Sequence, residues 1–130
     1  MVKDRNSDLI KLRPEIPAAK ITEGISGIEK FQNVTIRPII KFQNELLFQV
    51  FSNHARSYQK DWDSISNEKK EIFIESSMNK NQNLKNIYIG LVLGLFTTEE
   101  TEFYLSNKSE INRRIVQIIK QRILSNLQGI

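Results

Sequence analysis

The sequence predicts an all-α fold, and three observations carry that expectation. Apolar residues recur every three or four positions over long stretches, from Ile36 to Tyr58 and from Ile111 to Leu127. Capping residues stand in front of such stretches. No stretch alternates apolar and polar residues for long enough to specify a strand, and there is no internal repeat. With 130 residues, 39% of them hydrophobic and 26% charged, the chain has the size and composition of one domain with a buried core. The architecture expected is a compact bundle of four main helices plus one short helix over residues 33–130, behind an extended or disordered N-terminal arm over residues 1–32.

The arm is expected because Pro14, Pro17, Gly24 and Gly27 break any helical period, while Leu9, Ile10, Leu12, Ile16, Ile21, Ile25 and Ile28 show none. The body then starts near Asn33. Thr35 reads as a cap and Pro38 as a first-turn residue, where a missing N–H costs nothing. Ile36, Ile40, Leu47, Phe51, His54 and Tyr58 share a face that Ile39, Phe42, Leu46 and Val50 widen. Such a helix is central, with neighbours on several sides. Trp62 follows as a lid on the core. Ser66 caps a second helix with a narrow face of Ile72, Phe73 and Met78 and a wet side of Glu68, Lys69, Lys70, Glu71 and Glu75.

After a polar break at residues 79–83, an apolar helix runs from Leu84 to about Leu95. Gly90 and Gly94, four apart, predict close approach of another backbone. Tyr88 and Tyr104 read as core residues with a wet hydroxyl. Thr97-Thr98-Glu99-Glu100 is a capping box that opens the short helix. Ser109 is expected to cap the last helix, in which Ile111, Ile115, Ile118, Ile119, Ile123 and Leu127 form a broad face that Gly129 closes.

Composition excludes much chemistry. There is no Cys, which removes disulfides, zinc-thiolate sites and thiol catalysis, and one His cannot build a histidine-rich metal centre. No phosphate-cradling glycine loop, nucleophile elbow or dinucleotide fingerprint is present. No metal site and no cofactor are expected. The longest apolar run, residues 87–96, is half of what a bilayer requires, and residues 1–8 have no apolar stretch of an export signal, so a soluble cytoplasmic protein without a membrane partner is expected.

Charge is unevenly placed. Residues 1–106 balance 14 basic against 14 acidic side chains, while residues 107–130 carry Lys108, Arg113, Arg114, Lys120 and Arg122 against Glu110. The whole excess of +4 therefore sits in the last helix. Arg113, Arg114 and Lys120, off its aliphatic face, are the candidate contacts to a partner or to nucleic acid. The short helix, a turn at Ser106 and Asn107, and Asn112-Arg113-Arg114 would suit a helix-turn-helix, against which Glu99, Glu100 and Glu102 would repel phosphate. His54 is a weak catalytic candidate, a general base without a visible partner. Glu68, Glu71 and Glu75 share a ridge with lysines and read as a solvated face.

Residues 31–47 (FQNVTIRPIIKFQNELL), residues 94–100 (GLFTTEE) with Tyr104, and residues 111–114 (INRR) resemble a group of short, uncharacterised all-helical bacterial proteins, some of them labelled glyoxalase. The resemblance covers roughly residues 31–128 and implies a helical body and no known activity. The glyoxalase label implies a βαβββ architecture with His and Glu metal ligands, which a one-histidine helical chain does not share. The function expected is a non-enzymatic protein-interaction or regulatory module, with self-association through the broad face of the first or last helix. The alternatives are a nucleic-acid-binding domain using Arg113, Arg114 and Lys120, and a small enzyme or ligand binder around His54.

Overall fold

A computed structural model of the chain describes residues 4–14 and 27–130. The sequence readings at Ile16, Pro17, Ile21, Gly24 and Ile25 lie outside them. Among the described residues the chain is helical throughout, with no strand, and no helix is long and apolar enough to cross a membrane.

The first departure from expectation is at the N-terminus. Residues Arg5–Leu12 form a helix, α1, rather than an extended arm. Asp4 caps it by accepting from the Asn6 N–H at 3.1 Å, and Leu9 is buried. Its anchors are polar and distant in sequence. Arg5 donates to the carbonyls of Phe96 (2.8 Å) and Gly94 (2.9 Å), and Arg13 binds both carboxylate oxygens of Glu100 at 2.5 and 2.6 Å. Asn6 adds two hydrogen bonds to Thr98, and a helix held by polar side chains and one buried leucine leaves no hydrophobic period to read.

The next stretch is almost continuous: α2 (Gly27–Phe31), a π-helical turn (Gln32–Ile36), α3 (Arg37–Phe42) and α4 (Asn44–Tyr58). Helix therefore begins ahead of Asn33. Pro38 lies in the first turn of α3, as expected, although helix already precedes it through the π turn. Proline removes one i→i−4 hydrogen bond and crowds the preceding turn, and a π turn opens the spiral there. The turn also sets the phase: Phe31 and Ile36, five apart, are both buried. Thr35, inside the helix, does not cap; its hydroxyl donates to Glu100 Oε2 at 3.1 Å.

Within α4 the buried positions are Leu47, Phe48, Phe51 and Ala55. Tyr58, 70% exposed, leaves the expected face, as do Phe42 and Leu46. Trp62 is buried in a 3₁₀ turn with the Lys70 ammonium 5.4 Å over its ring. Helix α5 (Asn67–Lys80) is capped by Ser66 as expected, but buries Ile74, Ser77 and Met78 while Ile72 is 63% exposed. Ile72 and Ile74 lie about 200° apart around a helix, so only one can face the core.

Asn81 caps α6 (Gln82–Leu93) by accepting from the Leu84 N–H at 3.0 Å. Gly90 and Gly94 do not mediate close packing: both are exposed, and a Cβ at Gly90 would meet nothing within 4 Å. The Tyr88 hydroxyl is buried rather than wet and donates to the Leu47 carbonyl at 3.1 Å, and burial pushes its pKa upward.

The capping box forms as read. Thr97 Oγ1 accepts from the Glu100 N–H, and Glu100 Oε1 accepts from the Thr97 N–H at 2.8 Å, opening α7 (Thr98–Ser106). The last helix, α8 (Lys108–Leu124), starts at Asn107 without a side-chain cap, so Ser109 lies inside it. It ends at Ser125, and Gly129 belongs to a terminal 3₁₀ turn instead of closing α8. Ile111, Ile115, Ile119 and Ile123 are its buried stripe. The π turn, α5, α6 and α7 all pack on α8, which makes it the hub of the bundle.

Candidate anion-binding groove

Because α8 buries residues spaced by four, the side chains one position earlier lie about 100° round the helix. Glu110, Arg114, Ile118 and Arg122 form that neighbouring stripe, with Gln121 and Ser125 beside it. The stretch from the π turn to α4 runs opposite, presenting Gln32, Arg37, Asn44 and Phe48. Between them lies a groove of about 770 Å³. Four arginines line it, namely Arg37, Arg113, Arg114 and Arg122, together with amide and hydroxyl side chains. No carboxylate is among its lining residues.

The four arginines differ in how they are held. Arg113 and Arg114 share Glu110, at 2.6 and 2.9 Å. The hydrogen bonds from Arg113 and then Arg114 bring the Glu110 pKa down to about 2. Arg114 also donates to Gln32 Oε1 at 3.2 Å, tying α8 to the π turn. Arg122 donates to Asn44 Oδ1 at 2.8 Å and Arg37 to Asn33 Oδ1 at 3.3 Å. Among the described residues neither has a carboxylate partner. Burial, and then the charge of Arg37, lower the pKa of Arg122. Two like charges therefore line one groove, and among the described residues their side-chain partners are neutral amides.

The sequence candidates separate in space. Arg113 and Arg114 line the groove; Lys120 does not. It is buried on another side of α8, its ammonium 3.1 Å from Glu75 of α5. The reason is angular: Lys120 follows Ile119 and faces α5, and a long aliphatic stem can be buried while its tip finds a carboxylate. Glu75, at the end of the ridge with the exposed Glu68 and Glu71, is thus partly withdrawn from solvent. Among the described residues no group of three or more His, Asp or Glu side chains gathers as a metal site.

His54 lies in a separate cleft lined by Tyr58, Phe73, Ser76, Ser77, Lys80 and Asn81. Its Nε2 is 3.1 Å from Ser77 Oγ, its ring packs 4.8 Å from Tyr58, and burial lowers its pKa. The cleft has no carboxylate to orient the imidazole. Its geometry is that of a packed histidine with one hydroxyl partner.

The helix-turn-helix elements are also placed. A single residue, Asn107, joins α7 to α8, shorter than the three or four residues of such a turn. Asn112 Oδ1 accepts from the Tyr104 hydroxyl at 2.6 Å, and Glu99 and Glu102 are exposed on α7.

Sequence reasoning missed Arg37, Asn44 and Arg122 as groove residues. Arg122 was within reach, because it follows Arg114 by eight positions and so shares its stripe. Arg37 and Asn44 come from the other end of the chain, and only packing brings them there. The chain matches no protein-family model, no curated protein and no solved structure.

Proposed function

We propose that the protein is a non-enzymatic interaction module that receives an acidic segment of a partner protein in the groove between α4 and α8. One observation carries this reading: four arginines line a single concave surface with amides and hydroxyls, and only two of them, Arg113 and Arg114, are matched by a carboxylate, that of Glu110. A guanidinium fork binds carboxylates in two parallel hydrogen bonds, and the amides offer donors and acceptors to a peptide backbone. Ile118, half-buried, gives the segment apolar surface to lie on.

Nucleic acid is favoured less. A polyanionic backbone needs a broad positive face, whereas the clustered arginines here occupy one groove and α7 next to α8 presents Glu99 and Glu102. The test is fluorescence anisotropy with a labelled oligoglutamate peptide and a labelled DNA duplex at two salt concentrations. The peptide should bind in the micromolar range, and Arg37→Ala with Arg114→Ala should weaken it at least tenfold. A nanomolar, sequence-selective DNA complex, with no peptide binding, would replace this reading by the nucleic-acid one.

A further inference from the structure

Arg122 and Arg37 make a more particular feature inside the groove. Among the described arginines, Arg13, Arg56, Arg113 and Arg114 are matched by carboxylates and Arg5 by two backbone carbonyls, whereas Arg37 and Arg122 have amide side chains as partners. Arg122 is half-buried and Arg37 stands near enough to act on it as a like charge. The fold orients each by an amide oxygen, Asn44 for Arg122 and Asn33 for Arg37. An amide oxygen fixes one edge of the fork and leaves the charge uncompensated. Two oriented, uncompensated cations on the two walls of one groove destabilise the folded chain slightly when the groove is empty, and an anion that bridges them removes that repulsion.

The geometry of the charge selects the anion. A single carboxylate carries one negative charge and satisfies one guanidinium. A phosphate monoester is close to a dianion at neutral pH and has three free oxygens, enough to engage two guanidinium forks at once. We propose that Arg37 and Arg122 form a subsite for a phosphate monoester, presented by a phosphorylated side chain of the partner segment. The inference rests on the groove being the binding face and adds which chemistry it prefers. Asn44 and Asn33 are positioning residues in this arrangement, and Arg114, held by Gln32 and Glu110, borders the subsite without being free to close on it.

The test is an NMR titration of the full chain that follows arginine Nε–Hε signals. The probes are a short phosphoserine peptide, the same peptide with glutamate at that position, and inorganic phosphate. The phosphoserine peptide should shift the Arg37 and Arg122 signals and bind at least tenfold tighter than the glutamate peptide. Its affinity should rise as pH passes upward through about 6, where the monoester loses its second proton. Arg122→Gln and Arg37→Gln should each cost tenfold or more, Lys69→Gln on the exposed side of α5 less than threefold, and neither of the first two should lower Tm, because each relieves repulsion. Should Arg122→Gln fail to fold, Arg37→Gln alone decides the comparison. Inorganic phosphate binding as tightly as the peptide would assign the subsite to the phosphate group itself, and tighter peptide binding would assign it to a partner's side chain. Equal binding of the phosphoserine and glutamate peptides overturns the subsite and leaves the groove standing. Binding of neither peptide overturns both.

Discussion

Lys120 and Gly90 show how single residues change meaning once neighbours are known. Lys120 is polar by type, yet its side chain is only 11% exposed and meets Glu75. Its partner Glu75 is 46% exposed, so an apolar side chain of similar volume at position 120 keeps the packing and leaves that carboxylate in water. Lys120→Met should therefore cost less than about 1 kcal/mol in urea unfolding, and anion binding in the groove should be untouched. Gly90 has nothing within 4 Å of its would-be Cβ and sits inside α6, so Gly90→Ala should stabilise by about 0.5–1 kcal/mol. A loss of stability instead would show that α6 packs more closely there than the exposed face of Gly90 indicates. His54 offers the cleanest titration because it is the only histidine. Burial lowers its folded pKa below the ordinary 6.5, so near that pH the unfolded chain binds more protons than the folded one. The stability it confers is complete above about pH 6.5 and is lost as pH falls through the folded value. Tm should drop from pH 7.5 towards pH 5.5, and His54→Gln should flatten that slope.

At the scale of elements, α1 is the part whose role the structure changes. Its arginines bind the carbonyls that end α6 and the carboxylate that opens α7, so it staples the α6–α7 junction. Arg13 is 9% exposed and Glu100 16%, and Glu100 also takes bonds from the Thr97 N–H and the Thr35 hydroxyl. Removing Arg13 leaves a buried carboxylate short of its cation, which costs about 3 kcal/mol or somewhat more. At this chain length that lowers Tm by roughly 10 °C for Arg13→Ala. Deleting residues 1–14 should lower it at least as far, whereas an unattached arm would leave it unchanged. Helix α8 is the opposite case, an element legible from periodicity. Ile111, Ile115, Ile119 and Ile123 are all buried, and Ile115→Ala or Ile119→Ala should each cost about 2–5 kcal/mol.

For the whole molecule the deciding property is where charge is compensated. Glu100 joins three segments, α1, the π turn and α7. Burial by itself would raise its pKa, but the hydrogen bonds from Arg13 and from the Thr97 N–H, with the charge of Arg13, hold it below the ordinary 4.5. The unfolded chain then takes up protons first on acidification. The stability from Glu100 is complete above about pH 4.5 and is lost as pH falls through its folded value. Circular dichroism melts between pH 5 and pH 3 should show a steep loss in the wild type and a shallower one in Glu100→Gln, which starts from a lower Tm. The groove has the reverse character, because its Arg37 and Arg122 are left uncompensated by the fold. Salt should therefore weaken anion binding far more than it weakens the bundle, whose core is apolar.

Much of the fold lies in local chemistry that a sequence displays. The capping box at Thr97 and Glu100, the Ser66 cap and the isoleucine stripe of α8 each depend on residues within one or two turns of one another. So does the excess of positive charge in residues 107–130. What tertiary structure alone decided is every pairing across the chain. Arg13 reaches Glu100, Lys120 reaches Glu75, and Arg37 comes to line one groove with Arg122, each across at least 45 residues. Periodicity reports only that a residue leaves the apolar face. Whether it then meets a carboxylate, an amide or open water depends on the element packed alongside. For that reason Arg113 and Arg114 were legible as candidates, Lys120 was misplaced among them, and the subsite of Arg37 and Arg122 was invisible until the helices came together.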